Sequence, residues 1–126
     1  MTNEEIIEGN KLIAKFMGGK FRKSKDKNAL DKYFDLKDKG YFYYENEICY
    51  HASWDWIMPV LEKIEQIGCI IEISYSLVCM CRICVIGKKH EKAFNIINDN
   101  NGGLEPIIAI YKSVVEFIKW YNQNTK

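Results

Sequence analysis

The residues best able to do chemistry lie in one short stretch, His51-Ala52-Ser53-Trp54-Asp55-Trp56. It places an imidazole, a hydroxyl and a carboxylate beside two indoles, directly ahead of an apolar pattern with helical spacing. The first amides of a helix have no partner within the helix and attract anions, while indole faces stack on bases and cations. The stretch therefore predicts a ligand-binding site formed by His51, Ser53, Trp54, Asp55 and Trp56.

Capping and packing are the commoner explanation of the same residues. Ser53 or Asp55 can be the N-cap of the helix, and both indoles can straddle core and rim. A second alternative is a nucleophile pair of His51 and Ser53, because side chains two residues apart in an extended segment share a face. No oxyanion hole or third partner can be read from the sequence. We therefore expect that the protein is not an enzyme. The alternative is a small enzyme centred on His51, Ser53 and Asp55.

A second candidate is Cys79-x-Cys81-x-x-Cys84, with His90 nearby. Zinc needs four ligands that converge tetrahedrally, usually from knuckles bounded by turns. In a regular strand Cys79 and Cys81 share one face and Cys84 points to the other. The sequence favours core cysteines, with no metal and no cofactor. The chain has five cysteines and an acidic N-terminus unlike a secretory leader, which indicates free thiols in a reducing compartment.

A third candidate is the basic stretch between residues 20 and 40, which carries eight basic and four acidic residues. Lysines interleaved with aromatic residues could neutralise phosphates and stack on bases. Repeated Lys-Asp alternation favours a solvated loop instead. We expect a basic loop that could be mobile, with a short helix up to Leu36 as an option. Nucleic-acid binding is an alternative function, and its residues would be Arg22, Lys23, Lys25 and Lys27.

The elements that must position these residues begin with a capping box of Thr2 and Glu5. It predicts a helix over residues 3–17, which the glycines at 18 and 19 end. An aromatic run at 41–44 and a second short run at 48–50 predict a hairpin. The central helix starts at Ser53 or Asp55 and ends at Gly68. Its expected apolar face is formed by Ile57, Val60, Leu61, Ile64 and Ile67.

The second half of the chain predicts a further hairpin and a closing helix. Residues 69–86 are β-branched and too long for one strand, so an antiparallel pair with a turn near 74–77 is expected. A short helix is expected around Ala93, Phe94 and Ile97, and a long one from Pro106 to about Tyr121. The predicted fold is α+β, a small mainly antiparallel sheet of two hairpins packed against the central and C-terminal helices, with the N-terminal helix beside them. Residues 1–126 are expected to form a single domain.

Composition excludes few classes of protein. The formal net charge of the 126 residues is +1, so the overall charge indicates no particular partner. No apolar run approaches the roughly 20 residues that span a bilayer. We expect a soluble cytoplasmic protein without a membrane partner, and whether it forms a homo-oligomer is left open.

Two blocks of the sequence resemble segments of a known group of proteins. The pattern His-x-Ser-Trp-Asp-Trp-x-Met-Pro-Val-x-x-Lys-Ile at 51–64 is paired with a terminal Val-x-Phe-Ile-x-Trp-Tyr-Asn at 115–122. Together with the helix at 10–18, they resemble small uncharacterised proteins of bacteriophages and prophage-like regions. The resemblance implies no known activity. It implies an accessory protein in a bacterial host cytoplasm that binds a host protein or a small ligand, with an anti-defence role as one such use, and this is the leading functional hypothesis.

Overall fold

The computed structural model describes residues 2–23, 32–36, 41–44, 47–74, 79–85, 92–98 and 106–124. The described part of the chain contains three α-helices and six β-strands, and the strands form two three-stranded antiparallel sheets. The predicted α+β class is therefore confirmed. In chain order the elements are α1 (Asn3–Phe16), β1 (Lys20–Lys23), β2 (Lys32–Leu36), β3 (Tyr41–Tyr44), α2 (Trp54–Gln66), β4 (Cys69–Ser74), β5 (Cys79–Val85), β6 (Lys92–Asn98) and α3 (Pro106–Asn124).

Backbone contacts divide the chain into two compact units. The first unit is Met1–Tyr50 and the second is His51–Lys126. The first holds α1 and the sheet β1-β2-β3, and the second holds α2, α3 and the sheet β4-β5-β6. The expected single domain stays a prediction.

The capping box that was predicted for the first unit is present. The Glu5 amide donates to the Thr2 hydroxyl over 3.1 Å, and the Thr2 amide donates to the Glu5 carboxylate over 3.2 Å. α1 ends at Phe16, and Gly18 has a φ of +86°, the left-handed conformation that ends a helix. Its buried stripe is formed by Gly9, Asn10, Ile13, Ala14 and Phe16.

The sheet of the first unit lies where the sequence predicted mostly loop. β1 and β2 pair antiparallel with Phe21 opposite Phe34, and β2 pairs with β3 with Phe34 opposite Tyr43. The short helix considered up to Leu36 is therefore wrong, since five residues of mixed apolar and polar type can satisfy either period. The hairpin between 41–44 and 48–50 is also wrong, because the partner of β3 is β2. Residues 24–31 and 37–40 of the basic stretch lie outside the described part of the chain.

Two close approaches hold the first unit together. The buried Asn10 amide donates to the carbonyl of Ile48 over 2.9 Å, which ties the segment after β3 to α1. At Gly19, an added Cβ would lie 2.7 Å from Leu36 Cδ2 and 2.8 Å from the Ala14 carbonyl oxygen. Only glycine allows the chain to pass so close to α1 and β2.

In the second unit, the predicted pair at 69–86 is confirmed as β4 and β5, with Cys69 opposite Val85 and Ser74 opposite Met80. The turn falls within 75–78, outside the described residues. The short helix expected around Ala93 is wrong, since β6 pairs antiparallel with β5 there. A third strand gives a two-stranded ribbon the partner that it needs for stability.

The helices of the second unit cover one face of its sheet, with α2 against β4 and α3 against β5 and β6. Cys69, Cys81 and Ile83 are buried, whereas Ile70, Glu72 and Arg82 alternate with them and are exposed. This alternation is that of a sheet with one buried face. Within the described residues, no helix is long and apolar enough to cross a bilayer.

The Ser113 hydroxyl is a polar group inside this packed layer. It is fully buried on α3 and lies within hydrogen-bond distance of two carbonyl oxygens, at 3.1 Å from that of Cys81 and 3.0 Å from that of Ala109. The first of these contacts links α3 to β5, the central strand of the sheet.

Candidate functional site

The chain turns at residues 50–52 and then enters α2. Ser53 is the N-cap, with extended backbone angles (φ −131°, ψ 124°), and its carbonyl accepts from the amides of Trp56 and Ile57 at 3.1 Å each. Its side chain makes no capping hydrogen bond. The N-terminus of α2 is therefore organised by backbone geometry, and Pro59 lies inside the helix.

His51 is half-buried within the second unit. Its ring makes an edge contact with the ring of Tyr111 on α3, with centroids 6.0 Å apart and planes at 68°. Burial lowers the pKa of His51 and raises the pKa of Tyr111 well above its usual range. Both rings are therefore neutral near pH 7, and the contact is one of aromatic packing.

The nucleophile pair of His51 and Ser53 depended on an extended lead-in to the helix. That premise is wrong, because the chain turns at 50–52, so the two side chains are not placed on one face by alternation. The Asp55 carboxylate lies in the first turn of α2 and is exposed. The enzyme alternative stays a prediction.

The two indoles of the stretch differ in environment. Trp54 is 42% exposed, whereas Trp56 is half-buried. One turn beyond Trp54, Met58 is 45% exposed. Met58 was not among the predicted site residues, although its position outside the apolar stripe of α2 was a usable signal. Ile67 was predicted on that stripe, but it is the C-cap residue just after Gln66 and is 41% exposed.

The exposed residues on one side of α2 define a surface that we call the α2 outer face. With 3.6 residues per turn, its apolar and acidic members fall within an arc of about 100° around the helix axis. The buried residues Ile57, Val60, Leu61 and Ile64 fall within a separate, adjoining arc of about 100°. The α2 outer face consists of Trp54, Asp55, Met58, Glu62 and Glu65, all of them exposed.

The cysteines of the candidate metal site lie on different faces of the sheet of the second unit. Cys81 is fully buried, and burial raises the pKa of its thiol, as it does for Cys69. Cys84 is half-buried and lies opposite the exposed Ile70 in the strand register, so it belongs to the other face. Among the described residues, no three His, Cys, Asp or Glu side chains gather into a group that could hold a metal. The Cys79 side chain and His90 lie outside that description.

The residues of the nucleic-acid alternative are described only in part. Arg22 and Lys23 belong to β1, and Lys25 and Lys27 lie outside the described residues. This alternative stays a prediction.

No family model, no curated protein and no solved structure gives a significant match to this chain. The resemblance to bacteriophage proteins stays a prediction.

Proposed function

We propose that this protein is a non-enzymatic binding protein that recognises another protein through the α2 outer face. The observation that carries the proposal is the exposure of two large apolar side chains one turn apart, Trp54 at 42% and Met58 at 45%. The interior of the second unit takes up the apolar stripe of α2, but not these two residues. Their exposure costs solvation free energy that contact with a partner would recover.

The two residue types suit a protein interface. Tryptophan is among the residues that contribute most to binding energy at interfaces, because it buries a large rigid surface. Methionine is flexible and polarisable, so it adapts to an irregular partner surface. A Trp-Met pair therefore supplies one rigid and one adaptable anchor.

The shape of the surface favours a protein over a small molecule. Small ligands bind in concave sites that bury most of their own surface. The outer face of a helix is a convex ridge, and its usual complement is a groove or a second element on another protein. Within the context that the resemblance implies, the partner is a protein of the bacterial host cytoplasm.

A photo-crosslinking amino acid at residue 58 tests this proposal in a bacterial lysate. We expect it to capture a discrete protein partner, because residue 58 would lie inside the interface. The matched control is the same amino acid at Ile70, which is 48% exposed but lies on β4. Capture that is equal at both positions would contradict the proposal.

A second variant separates the interface from the fold. Trp54→Ala, combined with the crosslinker at 58, should abolish capture, whereas Ile70→Ala should leave it unchanged. Both replaced side chains are exposed, so both variants should keep the far-UV circular dichroism of the parent. Retained capture in the folded Trp54→Ala variant would show that this face is not the interface.

A further inference from the structure

We infer that the partner presents a basic amphipathic segment to the α2 outer face, with an apolar anchor for Trp54 and Met58 and lysine or arginine side chains for the acidic residues beside them. This inference rests on the proposed function. It adds the chemical class of the partner, which the apolar pair alone does not define.

The charge of the face supports this class of partner. Asp55, Glu62 and Glu65 are exposed on the same arc as the apolar pair. Lys63, the one basic residue of α2, lies about 80° beyond the edge of that arc, because successive residues are 100° apart. The face is therefore acidic on the side that carries the anchors.

The spacing along the helix shows how a partner would fit. Met58 and Glu62 are one turn apart, about 6 Å along the axis. Glu65 lies almost in line with Trp54 and Met58, toward the C-terminal end. A segment lying along this ridge would place an apolar side chain near the start of α2 and cations one to two turns later.

The same charges disfavour other occupants. A nucleic acid or an anionic lipid surface would bring phosphates against three carboxylates, and like charges across an interface are unfavourable. A lysine or arginine side chain is attracted both by the carboxylates and by the indole of Trp54, since cations also bind to the face of an indole. Charge complementarity therefore selects a basic protein segment.

Binding to defined peptides tests the inference with the full-length protein. The probe is a synthetic helical peptide of leucine and lysine, compared with a leucine-glutamate and a serine-lysine version, with affinity measured by isothermal titration calorimetry. We expect only the leucine-lysine peptide to bind, and binding should weaken as the salt is raised from about 50 to about 300 mM. No binding by this peptide, or equal binding by the leucine-glutamate version, would overturn the inference.

Charge reversal locates the contact. Glu62→Lys or Glu65→Lys should weaken binding by about tenfold, because each replaces an attraction by a repulsion at the interface. The matched control is Glu116→Lys on α3, which makes the same change at an exposed helical position whose contact with Lys119 is a weak surface pair. This control should change affinity about twofold or less by its effect on net charge alone. A loss in the control as large as that of Glu62→Lys would overturn the inference.

The two proposals fail in distinguishable ways. If Trp54→Ala abolishes partner capture while Glu62→Lys and Glu65→Lys have no effect, the interface stands and the basic class of partner is wrong. If neither kind of variant affects capture, both are wrong. Sedimentation of the protein alone tests whether a second copy of the chain occupies the face. Self-association that Glu62→Lys weakens would assign the face to a second copy and overturn the inference.

Discussion

At the residue scale, His51 couples the start of α2 to α3. Its half-buried ring contacts the buried Tyr111, and that burial lowers the pKa of His51 from its ordinary value of 6.5. The unfolded chain then binds a proton more readily than the folded protein does as the pH falls below 6.5. The stabilisation that depends on a neutral His51 ring is fully present above pH 6.5. It is lost as the pH falls from there toward the lower pKa of the folded state.

We therefore expect the stability advantage of the parent over a His51→Gln variant to shrink between about pH 7.5 and pH 5.5. Urea unfolding at several pH values measures it, and the variant controls for the carboxylates, which titrate in both proteins. An advantage that grows on acidification would mean that the pKa of His51 is raised, contrary to its burial.

The sequence identified this stretch but could not assign environments to its residues. His51, Trp54 and Trp56 were singled out by type and spacing. His51 is half-buried because it contacts Tyr111 of α3, which lies more than 50 residues later in the chain. Met58 was missed although it lies outside the apolar stripe of α2, because methionine as a residue type is compatible with core and surface alike.

At the element scale, Ser113 provides a polar link between α3 and the central strand of the second sheet. Its hydroxyl is within hydrogen-bond distance of the Cys81 carbonyl in a buried layer, whereas the Ser53 side chain makes no capping bond. Ser113→Ala should lower the free energy of unfolding by about 1 kcal/mol, and Ser53→Ala by only a few tenths. Denaturant unfolding of both variants measures the difference. Equal losses would mean that the buried hydrogen bond contributes nothing beyond side-chain removal.

The three helices could be predicted from the sequence because they are long. α1, α2 and α3 run for 14, 13 and 19 residues, long enough for a 3.6-residue period and its caps to be recognised. β2 and β6 have 5 and 7 residues, and their apolar positions also fit one turn or two of a helix. Each becomes a strand because a neighbour supplies backbone partners, which is information from elsewhere in the chain.

At the scale of the whole molecule, the single-domain prediction can be tested by comparing tryptophan fluorescence with far-UV circular dichroism during unfolding. All three tryptophans, at 54, 56 and 120, lie in the second unit, whereas far-UV circular dichroism reports on both units. A single cooperative domain should give coincident unfolding curves by the two signals.

Gly19→Ala gives this test a control within the first unit. The added methyl would meet Leu36 and the Ala14 carbonyl at less than 3 Å, and overpacking of this kind costs about 1–3 kcal/mol. In a single domain the variant shifts both curves equally. A shift in circular dichroism alone would show two independently unfolding domains.

The two glycines that follow α1 also differ in how freely they can drift during evolution. Gly18 is constrained by a φ of +86°, and a Cβ added there would meet nothing within 4 Å. Asparagine adopts that conformation more readily than other residues do, so it is the natural replacement at 18. Gly19 is constrained by space, because an added Cβ would come too close to Leu36 and the Ala14 carbonyl. In a set of diverged relatives, position 18 should therefore alternate between Gly and Asn while position 19 stays Gly, which makes position 19 the better sequence marker of this fold.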